Sequence, residues 1–131
     1  MIVVDASVLV GALMGDEAAA ARQAGEDLAA PHLIDIEVGH ALRRFVAAGH
    51  ITPERGLWAI HDLSRVEIER WDHAALLPRA WDLRCNLSFY DATYVALAEA
   101  LGVPLVTLDA RMASAPGVMA TVEVVRGVPR S

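Results

Sequence analysis

The chain has 131 residues, 55% of them apolar, and a formal charge of −6. That length makes one ordinary domain, residues 1–131, with enough chain to bury a sizeable core. The acidic balance argues against a general binder of duplex DNA, whose surface is normally basic, but not against a nuclease, where a bound cation supplies local positive charge. In chain order, Ile2–Val4 reads as a short buried strand that stops at Asp5, and Ala6–Met14 as a helix ending near Gly15. The Ala-rich run Glu17–Leu28 predicts a second helix and Ala29–Leu33 a second strand. Ile34–Ala48 is a helix closed by Gly49. Thr52 caps the next helix, with Pro53 in its first position, and the helix runs to about Arg65. Val66–Trp71 is a third strand, Ala75–Arg84 a helix with Pro78 in its first turn, and Phe89–Leu101 a helix broken by Gly102-Val103-Pro104. Leu105–Leu108 and Val122–Val125 complete the set as strands four and five.

Short apolar strands alternating with helices indicate an α/β fold, with a parallel sheet covered on both faces and right-handed crossovers. The high apolar fraction reads as surface meant for a partner, either a second copy or a binding peptide. No stretch reaches the roughly 18 apolar residues of a membrane span. The start lacks the basic residues of a secretory signal, and Asp5 interrupts its apolar run. A lone cysteine, Cys85, cannot form an internal disulfide, which points to a reducing, cytoplasmic setting with Cys85 as a small buried residue.

Four acids stand out by their place in this layout. Asp5 ends the first strand and Asp109 ends the fourth. Glu37 lies in the first turn of the helix after strand two, and Asp91 in the first turn of the helix leading to strand four. In a β-α-β unit helices start at the edge where strands end, so topology assigns all four to one edge, the one where open parallel sheets bind ligands. The helical period agrees: Asp91 is in line with Val95 and Ala98, and Glu37 sits beside the stripe Ile34, Val38, Ala41, Phe45. Converging carboxylates about 5 Å apart would repel by roughly 3 kcal/mol per pair at an effective dielectric near 20. An all-oxygen site of this kind suits Mg²⁺, with Mn²⁺ able to substitute. Each acid also has a local alternative: Asp5 as a helix cap, Ser88 with Asp91 as a capping box, Asp109 as a turn residue, Glu37 as an ordinary first-turn acid.

Other chemistries lack their signatures. Glu37-x-x-His40 is half of a di-iron motif without its second half, so His40 reads as exposed. The remaining histidines show no zinc spacing, Ser7 has no nucleophile-elbow context, and without a lysine there is no P-loop. A phosphoacceptor domain would need that lysine and an early pair of adjacent acids. A catalytically degenerate binding module would not need all four acids.

The stretches VVDASVLV, IEVGHALRR and SFYDATYVALAEALGVPLVTLDARM resemble the PIN-domain ribonucleases, most closely the VapC-type toxins of bacterial toxin–antitoxin pairs. The resemblance covers essentially the whole chain and is most specific from Tyr90 to Arg111. It implies a PIN-like three-layer α/β/α fold with about five short parallel strands and Mg²⁺-dependent endoribonuclease activity on RNA, tRNA or rRNA above all. It also implies a homodimer and a cognate VapB-type antitoxin. Asp5, Glu37, Asp91 and Asp109 match the family's acidic quartet, with Ser7, Thr107 and Arg111 as supporting positions. On site chemistry, Asp5, Asp91 and Asp109 would hold the metal directly, Glu37 through a water or a second metal, and a metal-activated water would cleave the phosphodiester. Arg43, Arg44, Arg84 and Arg111 are candidates for phosphate contact.

Overall fold

The computed structural model of the chain describes residues 1–126. Five strands alternate with seven helices: β1 (Ile2–Val4), α1 (Ala6–Leu13), α2 (Glu17–Gln23), β2 (Leu28–Pro31), α3 (Ile34–Ala47), α4 (Pro53–Leu63), β3 (Ile68–Trp71), α5 (Leu77–Asp82), α6 (Phe89–Leu101), β4 (Leu105–Thr107), α7 (Ala110–Ser114) and β5 (Val122–Val124). All pairings are parallel and the strand order is β3-β2-β1-β4-β5. Every residue of β1, β2 and β4 is buried, as strands covered on both faces must be. Helices α1 to α4 pack as one group and α5 with α6 as another, while α6 also lies against β1, β2 and β4. The core is aliphatic, with Tyr94 its largest fully buried side chain.

The differences from the sequence reading are local and have local causes. The helix expected over Glu17–Leu28 stops at Gln23, because Ala24 is extended and Gly25 takes a left-handed φ of +75°. Leu28 then joins β2, paired with Ile2. Strand β3 begins at Ile68 rather than Val66, whose amide still closes the α4 turn on Leu63. The helix expected from Ala75 is a short 3-10 turn, Ala74–Leu76, followed by α5. Helix α7 is an addition, since its five residues are too few to show a period. Cys85 is exposed rather than buried, because α5 ends before it and it falls in the turn to α6.

Strand β1 is the point where the strand order reverses. The chain first moves outward through β2 and β3, then returns to the other side of β1 through β4 and β5. The crevice at the carboxyl ends of β1 and β4 is therefore the topological switch point, where open α/β sheets bind ligands. Register places Val4 beside Val106, so the residues that follow, Asp5 and Thr107, meet across this crevice.

Candidate active site

Asp5 follows the last residue of β1 and is only 5% exposed. It is the N-cap of α1, and its Oδ1 accepts from the Val8 amide at 3.2 Å. Two hydroxyls complete its surroundings. Ser7 Oγ donates to Oδ1 at 2.6 Å and Thr107 Oγ1 donates to Oδ2 at 2.5 Å. Each hydroxyl in turn accepts from the end of β4, Ser7 from the Leu108 amide and Thr107 from the Asp109 amide, both at 3.0 Å. Two side chains thus tie the carboxylate of one strand to the backbone of its neighbour. Capping and site-building are the same act here: the local role of Asp5 as a cap fixes its aim. Asp109 also caps, accepting from the Arg111 amide at the start of α7, and Ser88 caps α6 by accepting from the Asp91 amide.

The four acids line one groove of about 1250 Å³ between α1, α2, α3 and α6, with Ser7 and Arg44 also on its wall. Electrostatics confirms their proximity. Burial pushes the carboxyl of Asp5 above the usual range, more than its three hydrogen bonds lower it, and Asp91 adds to the rise. Burial also raises Glu37, more than a hydrogen bond from Tyr94 lowers it, and Asp91 and Asp5 add to the rise. Burial raises Asp91 too, with Asp109 adding to the rise. Asp109 alone lies below its ordinary value, because the Arg111 guanidinium holds it through Nε at 3.1 Å and Nη2 at 2.9 Å.

Would these residues suit Mg²⁺? As placed, Asp109 is turned onto Arg111, and among the described residues no three His, Cys, Asp or Glu side chains are grouped closely enough to hold a metal. The donor chemistry nevertheless fits a hard divalent cation. The oxygens are all carboxylate and hydroxyl, burial and neighbouring acids disfavour the charged form of three of the acids, which a cation would offset, and Glu37 Oε1 is buried without a hydrogen bond of full geometry.

Of the arginines read as phosphate contacts, Arg44 lines the groove. Arg43 is exposed and outside the groove lining. Arg84 lies over the Trp81 ring, 4.6 Å from its centroid, away from the acids. Arg111 is occupied by Asp109. His40 is exposed as expected, yet it too lines the groove. Two aromatic residues escaped the sequence reading. Tyr90 lines the groove and is 63% exposed, and Tyr94 lines it from within the core at 1% exposure. The signal for Tyr94 was its spacing: three residues after Asp91 on a helix is the same side.

Comparison with known proteins agrees with this geometry. The PIN domain family model matches residues 2–118. Ribonuclease VapC1 of Mycobacterium tuberculosis is 46% identical over 129 residues, covering 95% of this chain and 97% of that protein. The crystal structure of PAE2754 from Pyrobaculum aerophilum superposes with a TM-score of 0.69 at 26% identity, over 94% of this chain and 83% of that one. VapBC2 from Rickettsia felis, solved bound to a DNA fragment from their promoter, shares the fold with a TM-score of 0.70 at 14% identity, over 96% of this chain and all of that one. An acidic crevice at the switch point of a five-stranded parallel sheet, a family match over most of the chain and a near full-length relative place this protein in the PIN-domain family, in its VapC group.

Proposed function

We propose that the chain is a Mg²⁺-dependent endoribonuclease, the toxin of a type II toxin–antitoxin pair, acting on a structured RNA such as tRNA or rRNA. The observation that carries this reading is the groove itself. Asp5, Glu37, Asp91 and Asp109 reach it from separate elements, and among the described residues Asp109 is the one of these four with an ion-pair partner. A relative named a ribonuclease, 46% identical over nearly its whole length, supports the activity. The fold neighbour from Rickettsia felis, a VapBC assembly, supports a VapB-type antitoxin as partner. A homodimer in a cytoplasmic setting completes the reading.

Asp5, Asp91 and Asp109 would hold the ion directly, with Glu37 acting through a water. Such an ion supplies positive charge to the scissile phosphate and acidifies the attacking water. The protein's own residues do the rest. Ser7 and Thr107 hold Asp5 fixed in the groove wall. Arg44 offers a guanidinium to a flanking phosphate on the same wall. Attack by water in line with the departing 3′ oxygen leaves a 5′-phosphate and a 3′-hydroxyl, the proton passing to that oxygen through solvent.

The test is cleavage of total RNA by the purified chain with Mg²⁺, with EDTA, and by Asp5→Asn. Cleavage that needs Mg²⁺ and is lost in folded Asp5→Asn is expected. Cleavage that persists in EDTA removes the metal role, and undiminished cleavage by the variant removes the site.

A further inference from the structure

Tyr94 lies one helical turn after Asp91 on α6, and its ring is part of the core. A buried tyrosine hydroxyl usually finds a hydrogen-bond partner. The Tyr94 hydroxyl is buried in the groove wall, without a hydrogen bond of full geometry, and the side chain it engages is Glu37. Glu37 faces it from α3, and its Oε1 is likewise buried without a hydrogen bond of full geometry. A buried donor from α6 and a buried carboxylate from α3 thus meet in the wall of the acidic groove, short of a well-formed hydrogen bond. Asp5 and Asp91 also act on the phenol, both as negative charges.

We propose that Tyr94 is a positioning residue for Glu37: its hydroxyl donates to the Glu37 carboxylate and aims the second carboxylate oxygen at the site of the divalent ion. The chemistry is directional. A phenol has one proton to give and carries no charge, so it restrains a carboxylate without neutralising it. Outer hydrogen bonds of this kind orient metal-binding carboxylates, and losing one typically weakens metal binding about 10- to 100-fold. The inference rests on the metal-nuclease reading of the groove, and its test separates the two.

The full chain, Tyr94→Phe, Glu37→Gln and the double variant are titrated with Mn²⁺ alone by calorimetry, without RNA, and their thermal unfolding is followed. Tyr94→Phe removes one oxygen whose single bond is short of full geometry and leaves the ring packed, so its midpoint should stay within about 2 °C of the parent, while Mn²⁺ affinity falls about tenfold. In the Glu37→Gln background the same substitution should change nothing further. Equal Mn²⁺ affinity in Tyr94→Phe and parent overturns the inference. So does an equal loss in both backgrounds, or a large drop in midpoint, either of which marks a merely structural tyrosine. A parent chain that binds no Mn²⁺ overturns the metal reading and this inference together.

Discussion

Thr107→Val is the sharpest test of how this site is held. The side chain is fully buried, and its hydroxyl donates to Asp5 Oδ2, accepts from the Asp109 amide and makes a weaker contact with Met112 Sδ at 3.5 Å. Valine has nearly the same shape, so no cavity opens and the cost is the hydroxyl's alone. A hydrogen bond to a charged group contributes about 1.5–3 kcal/mol. The Asp109 amide is nearer the surface and can turn to water, so it adds little. The net loss should be about 2 kcal/mol at neutral pH. For a chain of this size, that lowers the unfolding midpoint by roughly 8 °C. The sign with pH follows from Asp5. Its folded carboxyl already lies above the unfolded value, so the ionised form costs stability at neutral pH, and that cost fades as pH falls through the folded value. Thr107 supports the ionised form, and valine raises the carboxyl further. The gap between parent and variant should therefore be widest at neutral pH and close on acidification. Calorimetric unfolding over a pH series measures both. A midpoint unchanged at neutral pH, or a gap that widens as pH falls, would refute the hydroxyl bridge.

Asp91→Asn removes one charge from a group that burial and Asp109 hold in an unwelcome state. Because Asp91 is only half-buried, the relief is partly screened, and the midpoint should lie modestly above the parent at neutral pH, while RNA cleavage is lost. The sign matches a raised acid: the gain is present above the folded value and vanishes as pH falls through it, which a thermal scan at two pH values would show. Among the arginines, Arg44→Ala should weaken RNA binding and reduce its salt dependence, whereas Arg84→Ala, stacked on Trp81 away from the groove, should leave both unchanged. Equal losses in a filter-binding salt series would contradict that division.

The α/β architecture and the gathering of acids were legible from local signals. Three β-branched or apolar residues ending in Asp5, and the same pattern ending near Asp109, mark strand ends. Helix starts at Glu37 and Asp91 then fall at the same sheet edge by topology, without any knowledge of contacts. Residue types and periods carry this information because they reflect the nearest few residues. What tertiary structure alone decided is pairing across long sequence distances. Ser7 with Leu108, and Thr107 with Asp5, are bonds between residues about a hundred positions apart. No period reports them, because they depend on the register of β1 against β4. The same holds for the strand order that puts the crevice beside β1, for Tyr94 facing Glu37, and for the choice of Arg44 over Arg84 at the groove. Sequence spacing tells which way a side chain leaves its own helix. What it meets there is set by the packing of other elements, and at this site that packing turns four separate acids into one charged groove.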